Sequence, residues 1–230
     1  MREIVLDTET TGLNPLTGDR LVEVGCVELI NHLPTGAVFH RHVNPERDMP
    51  EEAFKVHGLS AAFLADKPVF AAIAEDLLTF LADSPLVIHN AEFDMRFLNA
   101  ELSRLGQPAL PMSRAIDTVV MARKRFPGAQ ANLDALCRRF GIDNSHRTQH
   151  GALLDAELLA EVYLQLIGGR QPGLELGPRA TAPDERTARI APRVARPARV
   201  SAPSPAESEA HRAFLDRLKA PIWRRRGGEE

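Results

Sequence analysis

MREIVLDTETTG, residues 1–12, carries an apolar run that passes directly into two acids spaced two apart. Ile4–Leu6 is a short apolar run expected to form a strand, and Asp7-Thr8-Glu9 stands at its C-terminal end. Residues i and i+2 of a strand point to one face, so Asp7 and Glu9 project together. Neighbouring carboxylates repel unless a cation lies between them, and hard oxygen ligands favour magnesium or manganese. Taken alone, the pair reads equally as a solvated acidic patch at a strand end.

Outward from that strand, Arg20–Leu29 alternates and is rich in β-formers. Asn31–Gly36 is turn-like, and Val38–Val43 alternates again. Three early strands with short connections predict an antiparallel meander. Val69–Leu81 then places Val69, Ile73, Leu77, Leu78 and Leu81 at helical spacing. Pro85–Ile88 reads as a buried strand, Ala91–Leu105 as a helix, and Ala115–Asp117 as a last short strand. Leu133–Phe140 and Leu153–Ile167 read as helices. Strands followed by alternating helix and strand indicate an α/β fold with a mixed sheet flanked by helices.

Two further units carry chemistry. His89-Asn-Ala-Glu-Phe-Asp94 follows a strand and opens a helix, with Asn90 the expected N-cap and Asp94 in the first turn. Glu92 is expected to face solvent, and His89 to be a satisfied near-core histidine. His150-Gly-Ala-Leu-Leu-Asp155 leads into the last helix. A spacing of five inside one helix would separate the two side chains by about 140°. They converge if His150 lies in the loop before the helix, which Gly151 permits. Each unit alone reads equally as ordinary helix-start polarity. Together, four carboxylates can hold two metals that clamp the attacking and leaving oxygens of a phosphodiester. A neutral histidine can take a proton from the attacking water. The other histidines show no competing cluster spacing, and His40 and His42 are expected to be exposed strand residues.

Composition sets the limits. The 230 residues are 44% hydrophobic and 26% charged, a globular balance. No apolar run approaches a membrane span, and Arg2, Glu3 and Asp7 interrupt what would be a leader's apolar region, so a cytoplasmic location is expected. Cys26 and Cys137 are too few for a disulfide framework or a cysteine zinc site, and are expected to be buried thiols. Residues 1–170 carry 16 Lys and Arg against 23 Asp and Glu, whereas residues 171–230 carry 12 against 8. An acidic catalytic region argues against a broad electrostatic grip on nucleic acid, but suits a nuclease whose metal ions supply positive charge.

The three units, Asp-Thr-Glu-Thr-Thr-Gly at 7–12, His-Asn-Ala-x-Phe-Asp at 89–94 and His-x-Ala-x-x-Asp at 150–155, resemble the motifs of the DnaQ-like 3′→5′ exonucleases. This is the DEDD family, with a ribonuclease-H-like fold, and the histidine five residues before the last aspartate resembles its His subgroup. The resemblance covers residues 1–170. It implies Asp7, Glu9, Asp94 and Asp155 as ligands of two Mg²⁺ or Mn²⁺ ions, with Asp94 acting partly through water, and His150 as general base. Asp7, Glu9 and Asp155 would also contact substrate. Val56-His-Gly58 and the block from Arg147 to Ala156 resemble the proofreading branch of the family. Glu52 and His57 match positions that contact the 3′-terminal nucleotide there, though they read equally as surface residues of a loop and short helix. The implied partners are the catalytic (alpha) subunit of a replicative polymerase, its sliding clamp (beta), and the 3′ end of single-stranded or frayed primer DNA. A small theta-like subunit is admitted by the same resemblance.

The remainder divides by texture. Gln171-Pro-Gly-Leu-Glu-Leu176 resembles a clamp-binding peptide anchored by Gln171, Leu174 and Leu176. Residues 177–206 are rich in Pro, Ala and Arg with few large aliphatics, and are expected to form a flexible linker. Helical character returns from Glu207 to Trp223, and residues 207–230 are expected to dock the polymerase, with Trp223 as anchor. Two other functions fit less well. A stand-alone exonuclease trimming RNA or DNA ends has no use for a docking tail. A catalytically silent interaction module would not need all five catalytic positions.

Overall fold

The structure is a computed structural model that describes residues 1–147, 149–169 and 203–218. The chain divides into two units, Met1–Glu175 and Leu176–Glu230. In the first, strands β1 (Arg2–Thr10), β2 (Leu21–Ile30) and β3 (Leu33–His42) precede helices α1 (Glu51–His57), α2 (Ala61–Leu64) and α3 (Phe70–Leu81). Strand β4 (Leu86–Ile88), helix α4 (Ala91–Arg104), strand β5 (Ala115–Asp117) and helices α5 (Thr118–Arg125), α6 (Leu133–Phe140) and α7 (Ala152–Leu166) follow. The sheet order is β3-β2-β1-β4-β5. β1, β2 and β3 form an antiparallel meander, and β1–β4 and β4–β5 pair in parallel. This is the mixed, helix-flanked sheet expected from the sequence.

Central β1 is buried on both faces, and its alternation sorts the core into two layers. Ile4 and Leu6 pack with α3 and α4 through Phe70, Leu77, Phe97 and Leu98. Val5 packs on the opposite side with α6 and α7 through Leu136, Leu159 and Val162. A strand covered on both faces loses water from its whole length, which is why its sequence is apolar at successive positions. β1 extends to Thr10, so Asp7 and Glu9 lie within it rather than beyond its end. The pairing with β2 shifts register between Glu9 and Thr10, an irregularity of the kind that re-aims side chains beside functional sites.

Several local expectations are corrected. The β2–β3 turn is only Asn31 and His32, both at positive φ, and β3 starts at Leu33, where a longer turn to Gly36 was expected. A two-residue turn with both residues left-handed matches strand twist, so the strands run closer to the tip. In α3 the buried stripe starts at Phe70, while Val69 precedes the helix and Leu78 is only partly buried. α5 was not foreseen. Its β-branched start and basic end mask a helix that Asp117 caps by accepting from the backbone N–H groups of Val119 and Val120.

In the second unit, helix α8 spans Pro205–Asp216. It begins two residues before the segment expected to be helical, because Ser204 and Glu207 form a reciprocal capping box and Pro205 occupies the first turn. Gln171, Leu174, Leu176, Trp223 and most of the 177–206 stretch lie outside the described residues. No helix among the described residues is long and apolar enough to cross a membrane.

Candidate active site

Alternation along β1 places Asp7 and Glu9 on the α7 side of the sheet and Thr8 on the α4 side. Thr8 Oγ1 donates to Asp94 Oδ1 at 2.7 Å, fixing the α4 carboxylate beside the strand. Asp155 comes from the first turn of α7 on the other side. Asp7, Glu9, Asp94, His150 and Asp155 thus line one cavity at the C-terminal end of β1, drawn from both helical layers.

Two glycine-dependent approaches build this convergence. Gly25 of β2 is the cross-strand partner of Asp7, and a Cβ there would overlap the backbone of Ala152 and Leu153. The start of α7 therefore sits directly on the sheet, which carries Asp155 to the β1 carboxylates. Gly58 ends α1 at φ +72°, and the Gln149 side chain fills the space a Cβ would take. Nearby, the backbone N–H of His150 donates to the Val56 carbonyl at 3.1 Å, tying the histidine loop to α1.

Asn90 does not cap α4 with its side chain; it adopts the left-handed conformation at φ 68°. Asp117 replaces it: Oδ2 accepts from the Ala91 N–H, while Oδ1 caps α5. One carboxylate thus organises two helix starts. Asp94 is nearly inaccessible, Glu92 is exposed, and His89 is held by Thr118 at 2.8 Å.

The carboxylates crowd one another. Burial, then Asp94, Glu9 and Asp155, push the Asp7 carboxyl well above its ordinary range. Burial and the Asp155 charge push Glu9 up to about 8, and burial pushes Asp94 up to about 7 against the opposing Thr8 hydrogen bond. Oxygens of Glu9 and Asp155 and a nitrogen of His150 lie within 4.8 Å of one another. A crowded, oxygen-rich donor set with unrelieved charge fits a hard divalent cation.

Arg147 is the principal residue of the site to which the sequence assigned no role. Its Nε donates to Asp155 Oδ1 at 2.5 Å and a terminal nitrogen to Oδ2 at 2.7 Å. It also pairs with Asp134 at 2.9 Å. A terminal nitrogen lies 2.9 Å from His150 Nδ1, and since guanidinium only donates, Nδ1 accepts. Burial and the Arg147 charge lower the His150 pKa, which keeps the imidazole neutral near pH 7. The sequence pointed to Arg147 only as the first residue of the block that resembles the proofreading branch, three positions before His150.

Glu52 and His57 line an adjoining cavity that shares Thr8, Glu9, Leu13 and Phe93 with the first. Glu52 is exposed, but His57 is buried, correcting the surface reading for that residue. Its Nδ1 accepts from the Leu59 N–H, and burial lowers its pKa against the opposing pull of a backbone hydrogen bond with Thr10. A second correction concerns His40 and His42, which are half-buried and gathered around Glu23 rather than exposed.

Fold and site together define a nuclease class, and comparison with known proteins gives the same result. The family model described as Exonuclease matches residues 4–163. Exonuclease X, solved with 5′-overhanging duplex DNA, aligns over 71% of this chain and 90% of its own, with TM-score 0.55 and 26% identity. The nuclease domain of 3′hExo, a DEDDh family member, shares the fold at TM-score 0.63 and 17% identity, over 72% of this chain and 91% of its own. The chain is 50% identical to DNA polymerase III subunit epsilon of Rickettsia conorii over 95% of its length and 96% of that protein. It is 48% identical to the subunit of the same name in Escherichia coli K12, over 74% of this chain and 72% of that protein. The chain belongs to the DnaQ-like 3′→5′ exonucleases, in the family of DNA polymerase III epsilon subunits.

Proposed function

We propose that Asp7, Glu9, Asp94 and Asp155 hold two divalent cations, magnesium or manganese, and that His150 is the general base of 3′-terminal phosphodiester hydrolysis. The reaction releases nucleoside 5′-monophosphates from a frayed or mispaired primer end. The observation that carries this reading is the convergence of four carboxylates from β1, α4 and α7 on one cavity with a neutral histidine at its rim. When bound, the cations supply charge stabilisation at the attacking and leaving oxygens. The chain's own residues do the rest. Asp7 and Glu9 on one face of β1 set the metal-binding frame, with Asp155 opposite. Thr8 fixes Asp94, whose buried carboxylate completes it. His150, neutral near pH 7, accepts the proton of the attacking water.

His57 and Glu52 are suited to hold the 3′-terminal nucleotide, because both residues line the cavity that adjoins the carboxylate cluster at Glu9. Leu13, 77% exposed at the rim of both cavities, offers apolar surface to a terminal base.

The names of the relatives support a place in a DNA polymerase III complex. In this reading the chain acts in the cytoplasm with the alpha subunit and the beta clamp as partners, and a small theta-like subunit is admitted but not required. The division that goes with it is residues 1–170 for catalysis, 171–176 for the clamp, 177–206 as tether and 207–230 for docking. The experiment is a nuclease assay on paired and mismatched primers, joined to co-purification with the polymerase subunit. Preferential, metal-dependent excision of mismatched ends by a polymerase-bound chain supports the reading. Equal trimming of RNA and DNA by a chain that binds no polymerase overturns it.

A further inference from the structure

A second group of metal-ligating side chains lies on β2 and β3, beside the catalytic carboxylates because Glu23 is the cross-strand partner of Glu9, and no catalytic role has been given to it. Glu23 of β2 is the cross-strand partner of His42, and His40 stands two residues before His42 on β3. All three side chains therefore share one face of the sheet. His40 Nε2 is 2.6 Å from Glu23 Oε1, and His42 Nε2 is 3.6 Å from the same oxygen. One ligand atom from each lies within 4.8 Å of the other two. The two rings are 4.9 Å apart, and Phe63 stands edge-on to His42 at 5.0 Å, limiting its rotation.

The charge arrangement asks for a cation. The Glu23 side chain is only 5% exposed. Among the described residues its ion-pair partners are the two imidazoles, and no Lys or Arg nitrogen comes within 4.0 Å. Burial, with His40 and Lys67 adding to it, lowers the His42 pKa against the pull of Glu23. A buried carboxylate with no fixed cation beside it is poorly compensated, and imidazole nitrogens become metal ligands once their protons are released.

We propose that Glu23, His40 and His42 form a three-ligand site for a divalent cation of borderline softness, with zinc the best match. Two imidazole nitrogens and one carboxylate oxygen suit zinc, whereas magnesium selects oxygen donors. Tetrahedral zinc with bonds of about 2.0–2.2 Å sets neighbouring ligand atoms roughly 3.3 Å apart, between the two Glu23–histidine distances observed. His40 and His42 are 33% and 25% exposed, which gives an ion access and leaves the fourth position to water. A filled site would fasten edge strand β3 to β2 through side chains as well as through the ladder.

The test uses the full chain with Asp7→Asn and Asp155→Asn, which weakens the catalytic carboxylate cluster. Zinc titrated into this protein by calorimetry should bind at one equivalent. Adding His40→Ala, His42→Ala or Glu23→Gln should weaken that binding at least ~10-fold, the least effect expected on removing a direct ligand. Imidazole nitrogen NMR of the otherwise unaltered chain gives a second measurement that needs no substitution at the site. Zinc should shift the His40 and His42 ring nitrogens together. Absence of zinc binding in the Asp7/Asp155 background, equal binding after His42→Ala, or unshifted His40 and His42 resonances would each overturn the site.

Discussion

Gly25 and Ala152 are in backbone contact: a Cβ on Gly25 would overlap the Ala152 carbonyl where α7 begins. Gly25 is not in a left-handed conformation, so its requirement is purely steric. Because Gly25 pairs with Asp7 and α7 carries Asp155, this contact sets the separation of carboxylates from distant parts of the chain.

Gly25→Ala should therefore push α7 away from the sheet. Overpacking of this kind costs about 1–3 kcal/mol. The melting temperature should fall, and excision should fall further than the residual folded fraction explains. A Gly25→Ala protein with unchanged turnover would show that α7 has slack at this contact.

Asp7→Ala and Glu9→Ala should each abolish metal-dependent excision while the melting temperature of the metal-free chain holds or rises. The reason for the second effect is relief of repulsion among crowded carboxylates. His150→Gln should slow turnover by at least ~10²-fold. The wild-type rate should rise with pH through a limb below the ordinary histidine value of 6.5, since His150 titrates low. A persisting limb in His150→Gln would move the base elsewhere.

Stability of the metal-free chain should fall as pH rises from about 6.5 to 8. Glu9 and Asp94 hold protons in the folded state up to about 8 and about 7, whereas unfolded they ionise near their ordinary values of 4.5 and 3.8. The folded state then binds more protons than the unfolded one, so raising the pH favours unfolding. His42, His57, His89 and His150 titrate low and act in the opposite sense, but only below about 6.5, where their unfolded forms gain protons. Magnesium should raise the melting temperature more at pH 8 than at pH 6.5. A melting temperature that rises with pH across that window in chelator would contradict these shifts.

Replacing Gln171, Leu174 and Leu176 together by Ala should abolish binding to the sliding clamp and leave the melting temperature unchanged. Two leucines supply apolar anchors and the glutamine both donates and accepts hydrogen bonds. Affinity of the unsubstituted segment should be roughly micromolar, as expected for so short a peptide ordered on binding. Surface plasmon resonance with no response at high micromolar clamp would remove the assignment.

Truncation after Ala180 should leave excision of free primers intact and abolish co-elution with the polymerase subunit, and Trp223→Ala alone should weaken that association strongly. An indole buried at an interface commonly contributes far more than its neighbours. Co-elution of the truncated chain would place the contact within the exonuclease domain.

The amino-acid sequence by itself determined the order and type of most elements. A short apolar run marks β1, apolar alternation marks β2 and β3, the stripe from Ile73 to Leu81 marks α3, and Leu133–Phe140 has clear helical periodicity. It also determined five of the polar residues that line the cavity, because Asp7, Glu9, Asp94, His150 and Asp155 fall in a recognisable pattern. These signals are local: side-chain period and the polarity of helix starts are written within a few residues. Only the tertiary structure decided the rest, because it depends on contacts between segments far apart in the chain. Whether Asn90 or Asp117 caps α4 is settled by parallel pairing of β4 with β5, which brings Asp117 to the Ala91 N–H. Arg147 acquires its role only when α6 and α7 present Asp134 and Asp155 to one guanidinium. Glu23, His40 and His42 are spread over twenty positions of sequence. The register of β2 against β3, set by the two-residue turn at Asn31 and His32 and by the irregularity between Val27 and Leu29, pairs Glu23 with His42 and makes the three neighbours.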